Sequence, residues 1–208
     1  MEPNLAFRLA FLISYILLIV IRGFYTKKTP FARKSRKERF EDIKREGLPS
    51  AVVFLGMFWI QMIVALFYVL DMQLISWSYF LLPLEIRVLG VFLGIVSILC
   101  VLWVHRTLAS SFSATLEVYE DHQLVTAGPY ARVRHPLYSA HTLFNAGMVL
   151  VSVNWILFLF LVIGMPFTYW RLLEEEKMLI EQFGDEYRKY IRQTGRLFPK
   201  LRQNRSSN

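Results

Sequence analysis

Of 208 residues, 55% are hydrophobic, 15% aromatic and only 19% charged, and the mean hydropathy is +0.38, which together exclude an ordinary water-soluble globule. Lys and Arg outnumber Asp and Glu by 24 to 16, a net charge of +8; the charges sit between apolar runs, so they mark membrane topology and no nucleic-acid partner is expected. The lone cysteine, Cys100, lies inside an apolar run, so neither a disulfide framework nor a cysteine-rich metal site is expected.

A helix rises about 1.5 Å per residue and the hydrocarbon core is about 30 Å thick, so a span reads as roughly 17–25 apolar residues. Residues 5–21 carry one charge, Arg8, near enough to the end to snorkel; residues 51–70 and 88–104 carry none. Residues 137–170 form an apolar stretch of 34 positions, about 51 Å as a single helix, so the run is predicted to fold back at Ser152-Val153-Asn154 into two antiparallel spans. The expected fold is an all-α integral membrane protein: five transmembrane helices, the last two a hairpin, with a small cytoplasmic helical cap. The opening run has no basic leader and no small-residue cleavage site, so it is read as a span and not as a removable signal.

Lys and Arg in short connections resist translocation and set the orientation. Residues 27–45 hold nine of them, residues 106–134 three and residues 171–208 nine, whereas residues 71–87 hold one and 152–154 none. The N-terminus is therefore expected outside and the C-terminus in the cytoplasm. The basic loop within residues 24–50 is explained by topology and anionic lipid headgroups. Trp77, Tyr79, Trp155, Tyr169 and Trp170 fall at span ends, as an interfacial belt requires. Three regions result: 1–104, with three spans; 105–200, which carries the chemistry; and a polar tail, 201–208, expected to be disordered.

Two polar segments are richer than connectors need to be. Residues 107–138 contain the turn former Gly128-Pro129, an alternating patch at 116–119 and, directly before the fourth span, Arg134-His135-Pro136. Pro136 suits the first helical turn, with His135 at the membrane-surface entry. In residues 171–200, Leu172, Glu176, Leu179 and Phe183 recur at helical spacing, so the fifth span should run on as an amphipathic helix to about Gly184, with Arg171 and Glu175 sharing a face. A short helix over 185–193 should then pack Tyr187 and Tyr190. Within the fourth span, His141 and Asn145 share a face with Thr142 adjacent, either as interhelical hydrogen-bond partners or as cavity lining. Pro166 in the fifth span should deprive the Val162 carbonyl of its donor and kink the helix. Glu174-Glu175-Glu176 can by themselves be a solvated helix face, with Glu174 bonded to Lys177. No fitting set of carboxylates or thiolates accompanies His122 and His135, so no metal site is expected.

Leu124-Val125-Thr126-Ala127-Gly128-Pro129-Tyr130, then Arg134-His135-Pro136-Leu137-Tyr138, then Glu175-Glu176 with Leu179, Phe183-Gly184, Tyr187, Tyr190, Arg196 and Pro199 resemble the isoprenylcysteine carboxyl methyltransferase family over about residues 112–199. A chain of this size with five spans looks like a prokaryotic relative. Two positions depart from the family pattern: Leu108-Ala109, where Leu-Gly is frequent, and Ala140, where Gly is frequent. The resemblance implies a membrane methyltransferase whose cofactor, S-adenosyl-L-methionine, is enclosed by the loop before the hairpin and the helix after it. It implies cofactor contacts from His122, Gln123, Leu124 and Val125, from Tyr130, from His135, Pro136, Leu137 and Tyr138, and from Glu175, with Arg171 positioning the carboxylate of the acceptor.

The residues agree with that implication on chemical grounds. A carboxylate accepts from an amino group or ribose diol, tyrosines offer stacking or cation–π surface to a sulfonium, and a loop backbone meets an adenine edge. A carboxylate acceptor needs no strong base, because it is already ionised at neutral pH; an amine acceptor such as a phospholipid headgroup would need one, with Glu174 or His135 as candidates. The leading expectation is methyl transfer to a lipophilic small molecule or lipidated carboxylate drawn from the bilayer, with membrane lipids as surroundings and no obligate protein partner. The alternatives are phospholipid or amine N-methylation, an NADPH-dependent sterol-type reduction and a non-enzymatic scaffold.

Overall fold

Each of the five apolar runs becomes a helix in the computed structural model, which describes residues 3–28, 35, 37, 48–108 and 124–200, with no side chain described at 3 or 48–55. They are α1 (Pro3–Thr26), α2 (Leu48–Val69), α3 (Leu84–Leu108), α4 (Pro136–Ser152) and α5 (Trp155–Gln193), with short 3₁₀ turns at Gln73–Ser78 and Gly128–Ala131. Among the described residues, α1, α3 and α5 are long and apolar enough to cross a bilayer. The 17 residues of α4 reach the short end of the spanning range. The chain is an integral, multi-pass membrane protein. Most of the basic loop, the patch at 116–119, His122, Gln123 and the tail 201–208 lie outside the described residues.

Large apolar side chains face outward along the helices, Ile13 at 55% exposure, Phe92 at 59% and Ile163 at 52% among them, the inverse of a soluble protein and what contact with lipid tails demands. Without a hydrophobic drive between helices in lipid, close backbone packing has to hold the bundle. The tightest seam joins α3 to α4. A Cβ added to Gly90 would lie 2.7 Å from the Gly147 carbonyl oxygen, and one on Gly147 would lie 2.8 Å from that of Gly90. Further along, Ser97 Oγ donates to the Ala140 carbonyl at 2.7 Å. An aromatic cluster fills the space between α1, α2 and α4: Phe11 meets Tyr15 and Tyr68 at ring-centroid distances of 4.7 and 4.8 Å, and Tyr15 meets Phe144 at 5.1 Å.

The polar face predicted on α4 is an interhelical hydrogen-bond network. Gln61 Nε2 donates to Asn145 Oδ1 at 2.8 Å and to the Tyr15 hydroxyl at 3.1 Å, while Asn145 Nδ2 donates to the His141 carbonyl. His141 Nδ1 in turn donates to the Leu137 carbonyl at 2.8 Å.

The fold-back occurs at the predicted residues. Val153 adopts a left-handed conformation (φ 48°), disfavoured for a β-branched residue, and Asn154 offsets it. Its Oδ1 caps α5 by accepting from Ile156 N (2.9 Å) and Leu157 N (3.2 Å), and its Nδ2 donates to Ser78 Oγ (2.6 Å). The backbone dihedrals stay helical through Pro166; the one non-helical residue within α5 is Gly184 (φ 52°, ψ −122°). Gly184 is free to adopt that geometry for want of a Cβ, and it separates the long helix from the short one at the boundary read from the sequence.

Replacing Gly147 with Leu should destabilise the bundle by about 1–3 kcal/mol or more, because the side chain would have to enter the Gly90 backbone. Gly56→Leu, where a Cβ meets nothing within 4 Å, should leave stability nearly unchanged. Thermal unfolding in detergent checks the pair, and equal melting temperatures would contradict the seam.

Candidate active site

The site is built where three pieces of chain meet: the loop before α4, the stretch of α5 beyond the apolar run that ends at Trp170, and residues 194–200. Gly128 opens the loop with φ 58°, and its Cα packs so closely on Thr107 that a Cβ would approach Thr107 Oγ1 to 2.8 Å. Pro129 then starts the 3₁₀ turn, and the Tyr130 carbonyl accepts from the Tyr190 hydroxyl at 2.6 Å. Tyr190 and Tyr187, both buried, lie on the short helix after Gly184 with ring centroids 5.8 Å apart.

Arg132 to His135 run alongside the C-terminal segment. Gly195 N donates to the Arg132 carbonyl, Arg134 N to that of Gly195 (2.8 Å), and His135 N to that of Arg196 (3.1 Å). Ser139 Oγ donates to the Leu197 carbonyl at 2.6 Å. A Cβ on Gly195 would overlap the Phe198 carbonyl, so the turn that brings the segment back requires glycine.

Glu176 occupies the centre of this junction. Arg134 Nε donates to its Oε1 at 2.8 Å, Arg196 Nη2 and Nε donate to its Oε2 at 2.7 and 3.1 Å, and His135 Nε2 approaches Oε1 at 3.3 Å. Arg134 spends further donors on the Thr194 and Ile191 carbonyls at 2.5 and 3.3 Å. Burial alone would raise the Glu176 pKa, but the hydrogen bonds from His135, Arg196 and Arg134 outweigh it and hold the carboxyl at about 2. An ionised carboxylate only accepts, so His135 Nε2 carries the hydrogen, and its Nδ1 points towards Glu175, 3.8 Å from Oε1.

Glu175, one position earlier, has the opposite surroundings. Its side chain is 32% exposed against 7% for Glu176, and its neighbours are the hydroxyl of Tyr138, which also bonds Arg171. The Tyr138 ring packs edge-on against His135 at 5.8 Å. Burial, followed by the nearby charge of Glu175, keeps the Tyr130 phenol well above its ordinary range and therefore neutral. Tyr130, His135, Tyr138, Arg171 and Glu175 thus share one locality. Pro136 is buried in the first turn of α4, Leu137 is half-buried with its carbonyl given to His141, and Leu124 and Val125 are half-buried in the approach to the 3₁₀ turn. His135 is enclosed at 3% exposure, because two carboxylates and the C-terminal segment close over it. Glu174 is a surface residue bonded to Lys177 at 2.7 Å. Among the described residues no group of three or more His, Cys, Asp or Glu is arranged to hold a metal.

The roles of Glu176, Arg134 and Arg196 escaped the sequence reading. A signal existed: a carboxylate sits on the apolar stripe of Leu172, Glu176, Leu179 and Phe183, and such a residue needs a buried cation to accompany it.

Residues 86–186 match the model of the phospholipid methyltransferase family. Over 72 residues the chain is 38% identical to the protein-S-isoprenylcysteine O-methyltransferase of Schizosaccharomyces pombe (strain 972 / ATCC 24843), a match covering 34% of this chain and 30% of that protein. Its fold is similar to a solved structure of the eukaryotic intramembrane Ras methyltransferase ICMT (isoprenylcysteine carboxyl methyltransferase), with a TM-score of 0.52 and 24% identity over 74% of this chain and 53% of that one. The chain therefore spans about half of the solved relative and under a third of the curated one.

Glu176→Gln should cost about 3–5 kcal/mol at pH 7, because it leaves Arg134 buried without its carboxylate. Since the folded carboxyl titrates below its ordinary 4.5, its stabilisation is complete above that value and is lost as pH falls towards about 2. Melting temperatures of wild type and variant should converge over that window; a difference independent of pH would refute the assignment.

Proposed function

We propose that this chain, a member of the isoprenylcysteine carboxyl methyltransferase family, transfers a methyl group from S-adenosyl-L-methionine to the carboxylate of a lipophilic or lipidated acceptor drawn from the bilayer. The observation that carries the reading is the convergence of Tyr130, His135, Tyr138 and Arg171 on the part-exposed carboxylate of Glu175.

The residues present fit such a donor. When bound, S-adenosyl-L-methionine supplies an electrophilic methyl group on a sulfonium centre. Glu175 would accept from its amino group or ribose diol, and Tyr130 and Tyr138, both neutral phenols, would offer π faces to the cation. Leu124 and Val125 would meet the adenine edge through their backbone, with His122 and Gln123 preceding them and Pro136 and Leu137 forming the wall at the start of α4.

Arg171 would hold the acceptor carboxylate in line with the methyl group. Such an acceptor is ionised at neutral pH, so the chain need only orient it and exclude water, with no proton to remove. An amine acceptor would need a base, and one of the two candidates, Glu174, is already bonded to Lys177 on the surface. The catalytic region is assigned to residues 105–200, and the charge distribution supports a site on the cytoplasmic side with the N-terminus outside.

Titration of the purified chain with S-adenosyl-L-methionine tests the reading. Glu175→Gln and Tyr138→Ala should each weaken binding about tenfold or more, while Arg171→Ala should bind normally and turn over slowly in a radiolabelled methyl-transfer assay on lipid extract. Identical affinities in all three variants, or no binding by wild type, would overturn it.

A further inference from the structure

Arg22, in the last turns of α1, reaches across the bundle to α4, where its Nη1 lies 2.6 Å from His141 Nε2. His141 Nδ1 carries the hydrogen given to the Leu137 carbonyl, so Nε2 is the acceptor and the imidazole is neutral. The hydrogen bond therefore positions the guanidinium without neutralising it. A guanidinium has five donors, and among the described residues His141 is the one hydrogen-bond partner given to Arg22. No carboxylate of the described residues pairs with it: Glu175 and Glu176 are engaged with Tyr138, His135, Arg134 and Arg196, and Asp71 pairs with Arg8 at the far end of α1.

The same end of α1 borders the candidate active site. Arg22 lies within electrostatic range of Tyr138, whose hydroxyl touches Arg171 and Glu175. One turn further on, Tyr25 stacks on His105 of α3 at 4.9 Å with the rings nearly parallel, close to the point where Thr107 meets Gly128 of the site loop. Arg22 is thus held by a neutral partner, half-buried beside apolar helix faces, at the edge of a site whose other cation, Arg171, is already within reach of Tyr138. Among the described residues no carboxylate complements a cation so placed, and an anionic ligand would.

We infer that Arg22 is a specificity-determining residue that binds the anionic carboxylate of the acceptor as it enters from the bilayer and delivers it to Arg171. The inference rests on the function proposed above and adds to it a residue from the N-terminal three-helix region, outside residues 86–186 that match the family model. His141 is its positioning residue.

The test compares binding of N-acetyl-S-farnesylcysteine with that of its methyl ester to full-length wild type, Arg22→Gln and Arg22→Lys in lipid nanodiscs. Affinity for the acid should fall about ten- to a hundredfold in Arg22→Gln and less in Arg22→Lys, while affinity for the ester and for S-adenosyl-L-methionine stays the same. Loss of acid and ester in equal measure, or no change for either, would overturn the inference. So would an effect that disappears when anionic lipid is omitted from the nanodisc, because Arg22 would then be holding a lipid phosphate. Wild type that binds the acid but not S-adenosyl-L-methionine would instead sink the methyltransferase reading and leave the acid-binding result standing.

Discussion

A single buried carboxylate ties the candidate site of this protein together. Glu176 accepts from Arg134 and His135, directly before the fourth helix, and from Arg196 in the C-terminal segment, so pieces of chain far apart in sequence are fixed by one side chain. Two guanidiniums and one carboxylate leave the junction with excess positive charge, and Arg134 reduces the cost of its own burial by donating to the carbonyls of Ile191 and Thr194. That is the arrangement in which a buried ion pair persists: both carboxylate oxygens accept more than one hydrogen bond, and removing one partner strands the others. The backbone pairing of Arg134 and His135 with Gly195 and Arg196 follows from it, as does the presentation of His135 Nδ1 and Tyr138 to Glu175.

The membrane bundle serves this junction by fixing the start of α4. Close approach of Gly90 and Gly147, and the Ser97 bond to the Ala140 carbonyl, leave α4 no freedom to slide along α3. At the opposite end Asn154 caps α5 and anchors the hairpin to Ser78. With both ends of the hairpin fixed, the extension of α5 beyond Trp170 returns Arg171 and Glu175 to the loop that precedes α4.

Apolar run length made the helices legible, because the bilayer imposes a length that few other constraints imitate. Ser152-Val153-Asn154 was readable as the fold-back for the same reason, and Gly184 because a helix-ending glycine announces itself. Pro166 removes one donor, yet the backbone keeps helical dihedrals through it, since a single lost bond in a long helix can be tolerated without a break. Tyr130, Tyr138 and Glu175 were singled out by the family resemblance, and the structure brings them near one another. The clamp was not legible, because Arg134, Glu176 and Arg196 are brought together by tertiary contact alone; only the oddity of a carboxylate on an apolar stripe hinted at it.

Adjacent glutamates on one helix point about 100° apart, and here that rotation divides structure from chemistry. Glu176 turns inward to cations that cannot leave, and its charge is consumed by them. Glu175 turns to Tyr138 and remains part-exposed, so its charge remains available to a ligand. The two roles depend on each other: without the inner carboxylate, His135 would lose the acceptor that fixes its Nε2 hydrogen and its ring orientation, and Glu175 would lose a defined neighbour. The proposed reaction would bring a cationic donor and an anionic acceptor together, and so calls for both signs of charge held apart at close range. The helix achieves this by setting Arg171 and Glu175 one turn apart on the open side and committing Glu176 to the closed one.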